Sequence, residues 1–121
     1  MVDIFHCLRM SATPEEVYRA VTEDGLLRPW WGNGTRLSLR CIERTDGASV
    51  VWRCIDGPPE WIGTDISFAF VREGRETVLR LVHRNWREPN DAFARCTTKW
   101  GRVLMALKSR VERPEADDLH V

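Results

Sequence analysis

The sequence predicts an α+β fold in which a curved antiparallel β-sheet grips one long C-terminal α-helix, with two short helices after the first strand. Between residues 60 and 86, two runs of alternating apolar and polar residues are joined by a glycine-containing turn, which indicates a half-buried hairpin. After Pro89, the apolar residues recur three and four positions apart, which is typical of an amphipathic helix. A sheet with one apolar face and a helix with one apolar stripe bury each other, so both belong to one core.

The chain of 121 residues has the size of a single domain, which we assign to residues 1–113, with a flexible acidic tail at residues 114–121. Lysine plus arginine and aspartate plus glutamate each number 18, so no net charge attracts nucleic acid or an anionic membrane. No apolar run approaches the roughly 20 residues of a membrane span, and the first residues lack the pattern of a signal peptide. We therefore expect a cytoplasmic protein.

The sequence gives no support for a metal or cofactor site. The four cysteines are Cys7, Cys41, Cys54 and Cys96. They have no Cys-x-x-Cys spacing, so we expect reduced, buried thiols. His6 and His83 do not combine with these cysteines into the ligand set of a zinc site. Neither a nucleophile-elbow spacing nor a phosphate-binding glycine loop is present, so hydrolase and nucleotide-binding functions lack support.

The first predicted element is a strand over residues 3–10, which are rich in β-forming side chains. A helix begins at residues 13–16, where threonine, proline and glutamate have the spacing of a capping box with proline at the first helical position. A second short helix is predicted from Thr22 towards Trp30 and Trp31. Two adjacent indoles cannot both face one core, so we expect one of them at the mouth of a pocket.

An Asp46-Gly47 pair between two alternating runs predicts the first hairpin. Pairing Thr45 with Ala48 places Cys41 opposite Trp52 and keeps the apolar side chains on one face.

The second predicted hairpin spans residues 60–86. Pairing Arg72 with Arg75 places Thr64 opposite His83 on the apolar face. The hairpin ends on His83 and Trp86, which we expect to be exposed.

The long helix is expected to begin near Asn90 and to end before Pro114. Its apolar stripe consists of Phe93, Cys96, Trp100, Val103, Leu104, Leu107 and Val111.

Several segments occur in an order that is characteristic of one superfamily. They are residues 12–22, Trp30-Trp31, residues 51–53, residues 57–64, Phe68, residues 83–86, Trp100, Leu104, Leu107 and Lys108. In this order the chain resembles START-like (SRPBCC) domains of the heat-shock ATPase activator homologue branch over nearly its whole length. It departs from them at Asn85, where family members often have glycine, and in the short segment between Trp31 and Val50.

The resemblance implies a START-like helix-grip fold with a cavity for apolar or amphipathic molecules between the sheet and the C-terminal helix. It implies no reaction, because the superfamily includes lipid carriers, aromatic polyketide cyclases, hormone receptors and co-chaperone domains.

The predicted ligand-binding residues are side chains on the apolar faces of the sheet and the helix, together with Trp86 and the paired indoles. They are Trp30, Trp31, Trp52, Thr64, Ile66, Phe68, Phe70, Leu81, His83, Trp86, Phe93, Trp100 and Leu104. His83 is the one catalytic candidate, since strand parity places it near Thr64, where it could exchange a hydrogen bond with a ligand. The alternative is a histidine satisfied by Thr64 or by the backbone.

The leading hypothesis is non-enzymatic binding of a small hydrophobic or amphipathic molecule. One alternative is a cyclase- or aromatase-like enzyme for an aromatic or polyketide-type substrate, with His83 as proton carrier. The other is a co-chaperone-like module that binds a protein partner through an exposed apolar patch. We expect a monomer or homodimer that binds neither nucleic acid nor membranes.

Overall fold

The computed structural model describes residues 1–23 and 37–112 of the chain. Its elements are β1 (Val2–Met10), α1 (Pro14–Thr22), β2 (Ser38–Thr45), β3 (Ser49–Asp56), β4 (Asp65–Glu73), β5 (Glu76–Trp86) and α2 (Asp91–Glu112). The five strands form one curved antiparallel sheet in the order β1-β5-β4-β3-β2, and the long helix α2 follows it. The predicted α+β fold is confirmed. The second predicted short helix and the predicted acidic tail lie outside the described residues.

The core lies between the inner face of the sheet and the apolar stripe of α2. Inner-face residues of β4 and β5 such as Ile66, Phe68 and Leu81 are buried, and Trp100 and Leu104 of α2 join the same cluster. The stripe of α2 therefore covers the sheet as its three- and four-residue spacing predicts. Neither described helix is long and apolar enough to cross a membrane.

Both described helices begin as their sequences predict. The Thr13 hydroxyl accepts the Glu16 N–H at 3.1 Å, and the Glu16 carboxylate accepts the Thr13 N–H at 3.1 Å. At α2, the side-chain oxygen of Asn90 accepts the N–H of Phe93 at 3.1 Å. These bonds satisfy backbone donors that have no partner inside the first turn of a helix.

The first hairpin has the predicted register only from Leu39 to Cys41. Cys41 lies opposite Trp52, as expected. Thr45, however, pairs with Ser49 and not with Ala48, because the register shifts between Cys41 and Glu43. A β-bulge of this kind adds one residue to a strand, so the turn and the far end of the hairpin follow different registers.

The predicted register of the second hairpin is wrong by two residues. Glu73 pairs with Glu76 around a two-residue turn that begins with Gly74 at φ 63°, so Ile66 lies opposite His83. A shift of two residues keeps every side chain on its predicted face, because the period of a strand is two. The strand β4 also begins later than predicted, so Ile62 precedes it and is 47% exposed.

The cysteine prediction holds in part. All four thiols are free, and Cys54 and Cys96 are buried as expected. Cys7 and Cys41 are exposed, because Cys7 belongs to the outer face of β1 and Cys41 to the edge strand β2.

Candidate functional site

His83 is fully buried on β5, and both of its ring nitrogens have hydrogen-bond partners. Nε2 lies 2.8 Å from the hydroxyl oxygen of Thr64, and the indole N–H of Trp100 donates to Nδ1 at 3.1 Å. The thiol sulfur of Cys96 lies 3.9 Å from the same Nδ1. The histidine is therefore satisfied by side chains from both layers of the fold.

These partners determine the tautomer of His83. An indole N–H can only donate, so Nδ1 must be the unprotonated acceptor. The hydroxyl of Thr64 donates to the carbonyl oxygen of Trp61 at 2.6 Å, so its oxygen accepts the proton that His83 carries on Nε2. Hydrogen bonds run in one direction from Trp100 through His83 and Thr64 to the backbone of Trp61.

Burial holds His83 in this neutral form. It lowers the pKa of His83 to about 3, and the carboxylates of Asp3 and Asp65 act weakly in the opposite direction. Burial likewise raises the pKa of the neighbouring Cys96 thiol to about 12. Near neutral pH the pair thus supplies neither an imidazolium acid nor a thiolate nucleophile.

Aromatic rings surround His83 between the sheet and α2. Its ring centroid lies 4.7 Å from that of Trp61, 5.0 Å from Trp86 and 6.0 Å from Trp100, in edge-to-face arrangements. Trp100 also contacts Phe68 edge to face at 5.9 Å. Such contacts add to the stability that burial of the rings already provides.

A bulge in β5 turns Trp86 into this cluster. Between the pairs Val2–Trp86 and Ile4–His83, β5 contains one residue more than β1. Asn85 adopts φ 74° there, and its N–H donates to the Asp3 carboxylate at 3.1 Å. His83 and Trp86 therefore face the same side, with exposures of 0% and 2%, and the prediction that they are exposed is wrong. The positive φ also explains why glycine suits this position, and asparagine is among the residues that tolerate it.

A cleft opens beside this cluster, between the β3–β4 connection, the end of β5 and the first half of α2. Its volume is about 250 Å³. We call it the indole cleft, and it is lined by Pro58, Glu60, Trp61, Trp86, Ala92, Arg95, Cys96 and Lys99. It combines two indole walls with two cationic side chains and one carboxylate.

Trp86, which lines the cleft, also carries an unsatisfied polar atom. Its indole Nε1 is buried and has no hydrogen-bond partner among the described residues. Buried polar groups without a partner are rare in folded proteins, and each one requires an explanation.

The structure places most of the predicted ligand-binding residues together. Those buried in the core are Thr64, Ile66, Phe68, Phe70, Leu81, His83, Trp86, Trp100 and Leu104. Trp52 and Phe93 are partly buried against them, whereas Trp30 and Trp31 lie outside the described residues. Their role in ligand binding stays a prediction.

Sequence reasoning missed the polar part of the cleft. Glu60, Arg95 and Lys99 are not among the residues that the sequence predicts to bind a ligand. The signal that could have found them is the one-turn spacing of Arg95 and Lys99, beside the Pro58-Pro59 loop that carries Trp61. Within residues 1–23 and 37–112, no group of three or more histidine, cysteine or acidic side chains is placed to hold a metal ion.

An antiparallel sheet that packs one long C-terminal helix against its inner face defines a helix-grip domain. No protein-family model matches the chain, and no curated protein matches it. Several solved structures do match the chain. The solution structure of the Aha1 dimer from Colwellia psychrerythraea is 30% identical, with a TM-score of 0.82 over 93% of this chain and 98% of that chain. The chain belongs to the START-like (SRPBCC) superfamily, in the branch of Aha1-type domains.

Two more distant structures share the fold alone. Protein MLL2253 from Mesorhizobium loti is 16% identical, with a TM-score of 0.75 over 93% of this chain and 98% of that chain. DynU16, a protein from the dynemicin biosynthetic locus, is 14% identical with a TM-score of 0.76, covering 93% of this chain and 48% of that one.

Proposed function

We propose that the protein binds a small amphipathic molecule in the indole cleft and performs no chemistry on it. The observation that carries the proposal is the cleft itself, which is lined by Trp61 and Trp86 together with Arg95 and Lys99. Ligand sites combine apolar and aromatic walls with a few polar groups that fix the orientation of the ligand. A cytoplasmic location remains part of this proposal.

The volume of the cleft limits the size of the ligand. Pockets for drug-sized molecules begin at about 300 Å³, whereas a cavity of about 150 Å³ suffices for benzene. At about 250 Å³, the indole cleft suits one aromatic ring or a short aliphatic chain with a polar group.

Native mass spectrometry of the freshly purified protein tests the proposal. We expect a discrete added mass that is absent from the denatured protein and is recovered by solvent extraction. The variant Ala92→Phe places a ring in the cleft and should abolish the added mass, because Ala92 lines the cleft. Ala94→Phe is the matched control, since Ala94 is exposed on the same helix and does not line the cleft. A wild-type protein without added mass, or an added mass that survives Ala92→Phe, would contradict the proposal.

The cyclase- or aromatase-like alternative has less support from this geometry. It requires His83 to exchange a proton with a substrate, yet both ring nitrogens are engaged and the pKa of His83 is about 3. A catalytic acid or base works best when its pKa lies near the operating pH.

A protein-interaction module or homodimer is the second candidate. The outer face of the sheet carries a row of cross-strand neighbours, in which Phe5 pairs with Val82, Val82 with Ser67 and Ser67 with Val51. Phe5 is 56% exposed, and the similar Aha1 structure is a dimer. A row of this kind, with one exposed aromatic and partly exposed neighbours, is a candidate docking surface.

Sedimentation velocity of the purified protein tests this second candidate. If the sheet face forms a dimer, Phe5→Glu should convert dimers to monomers, because a charge would be buried at the interface. Met105→Glu is the control, since Met105 is 53% exposed on the helix and away from the sheet face. A dimer that survives Phe5→Glu would rule out this surface.

A further inference from the structure

The helix α2 leaves one guanidinium group unpaired in the indole cleft. It lines the cleft with Ala92, Arg95, Cys96 and Lys99, whose spacing places them on one side of the helix. Lys99 already has an interaction partner. Arg95 is exposed and has neither an ion pair nor a hydrogen bond from its side chain to any described residue. Arg95 is therefore the cation of this helix that is available to a ligand.

The connection between β3 and β4 leaves one carboxylate unpaired in the same cleft. Pro58, Glu60 and Trp61 line the cleft from this connection. Glu60 is exposed, and within the described part of the chain its carboxylate has neither an ion pair nor a hydrogen bond. Among the described residues that line the cleft, it is the one acidic side chain. The lining thus carries two unpaired charges of opposite sign, which come from different elements.

Glu60 and Arg95 line one cleft without pairing with each other. A ligand that carries both a cation and an anion can satisfy both residues at once. An ammonium group donates hydrogen bonds to a carboxylate, and a guanidinium group donates to the carboxylate of a ligand. Such charge-assisted bonds are stronger than those between neutral groups. A ligand with only one of the two charges leaves either Glu60 or Arg95 without a partner.

The apolar lining and the volume of the cleft define the rest of the ligand. Pro58, Ala92 and the rings of Trp61 and Trp86 supply apolar and aromatic surface. A volume of about 250 Å³ leaves room for one ring and a short chain. An aromatic α-amino acid combines these properties, because it carries an ammonium group, a carboxylate and one ring on a short chain.

We propose that the indole cleft binds a zwitterionic α-amino acid with a single aromatic ring, whose ammonium group donates to Glu60 and whose carboxylate accepts from Arg95. This inference rests on the proposed function, because it assigns a ligand class to the same cleft. It adds a requirement for two opposite charges on the ligand, which binding of an amphipathic molecule does not have by itself.

The test compares three probes that share a phenyl ring and a short chain: L-phenylalanine, 3-phenylpropionate and 2-phenylethylamine. The second lacks the ammonium group, and the third lacks the carboxylate. Titration calorimetry of the full chain at neutral pH measures the affinity of each. We expect L-phenylalanine to bind about fivefold more tightly than either analogue, which is the upper end of the usual effect of one exposed ion pair. This preference should shrink as salt is added, because salt screens charges near the surface.

Charge variants assign each contact separately. Glu60→Gln should abolish the preference for L-phenylalanine over 3-phenylpropionate and retain the preference over 2-phenylethylamine. Arg95→Gln should have the opposite effect. The controls Glu43→Gln and Arg110→Gln should retain both preferences. Glu43 is exposed on β2, Arg110 lies on α2 roughly 22 Å further along its axis than Arg95, and neither lines the cleft.

A variant with a blocked cleft shows where the probes bind. Ala92→Phe should abolish L-phenylalanine binding, whereas Ala94→Phe, on the exposed side of the same helix, should leave it unchanged. Binding of L-phenylalanine that survives Ala92→Phe would place the amino acid elsewhere and overturn the inference.

The outcomes distinguish this inference from the proposed function. If all three probes bind equally and Ala92→Phe abolishes their binding, the cleft is a ligand site but the requirement for two charges is wrong. An analogue that binds as tightly as L-phenylalanine shows that one of the two contacts is absent, which also overturns the inference. If no probe binds, the inference is wrong, and the native mass experiment decides whether the cleft binds any other molecule.

Discussion

The hydroxyl oxygen of Thr64 lies 2.8 Å from Nε2 of His83, although the two residues are not opposite each other in the sheet. The hydroxyl accepts from the histidine and donates to the carbonyl of Trp61 at 2.6 Å. One small side chain thereby connects β5 to the loop that forms a wall of the indole cleft.

Replacing Thr64 by valine should destabilise the protein more than its small change in shape suggests. Thr64→Val leaves the Nε2–H of His83 without an acceptor in a buried site, which costs about 1–3 kcal/mol. The carbonyl of Trp61 loses the hydroxyl but still accepts the backbone N–H of residue 64. Thr64→Ser keeps the hydroxyl and should retain most of the stability. Urea denaturation measures both, and equal midpoints for the two variants would contradict the hydrogen-bond chain.

Acid should destabilise the protein through His83. The pKa of His83 in the folded state, about 3, lies below the unfolded value of about 6.5, so the unfolded chain binds the proton more readily. The stability from this residue is therefore complete above about pH 6.5 and is lost as pH falls towards 3, by about 2 kcal/mol between pH 7 and pH 5.

Two measurements check the effect of acid on His83. His83→Gln does not titrate, so its free energy of unfolding should fall less than that of the wild type between pH 7 and pH 5. In the wild type, the imidazole ¹⁵N shifts should keep the neutral Nε2–H pattern at pH 5. A histidine that becomes charged in the folded protein at pH 5 would contradict the buried, satisfied state.

Asn85 should accept glycine more readily than alanine. Its φ of 74° is unfavourable for a side chain with a Cβ atom, so Asn85→Ala should lower the free energy of unfolding by about 1 kcal/mol relative to Asn85→Gly. The N–H that donates to Asp3 is present in both variants. Thermal denaturation compares them, and an alanine variant as stable as the glycine variant would contradict the left-handed conformation.

The capping box at Thr13 should make a measurable contribution to stability. Thr13→Ala removes the acceptor for the Glu16 N–H and should lower the free energy of unfolding by about 1 kcal/mol, whereas Thr13→Ser should have little effect. Chemical denaturation of the three proteins gives the comparison. Identical stability of all three would show that solvent satisfies this end of α1 equally well.

Side-chain periodicity predicted the faces of the sheet well but not the register of its second hairpin. Ile66, Phe68 and Phe70 are buried as their alternation indicates. The register depends on whether Glu73-Gly74 or Gly74-Arg75 forms the two-residue turn, and both choices preserve the same faces. Gly74 occupies the first position of the turn at φ 63°, and the sequence alone does not show whether the glycine takes the first or the second position.

The site was harder to predict because its main features break the periodic pattern. Strict alternation places His83 and Trp86 on opposite faces, and the bulge at Asn85 brings both to the inner face. The asparagine that stands where related domains often have glycine was the one sequence signal for this bulge. The indole cleft also depends on a loop and on half of a helix that is otherwise polar, and no repeat in the sequence connects them.

The pairing of β1 with β5 determines when the sheet can be completed during synthesis. Val2 pairs with Trp86, so β1 leaves the ribosome well before the strand with which it pairs. At about 5–20 residues per second, β1 waits roughly 4–17 s for that partner. During this time the edge of β1 that pairs with β5 has no partner strand, and an unpaired strand edge is a site at which chains associate.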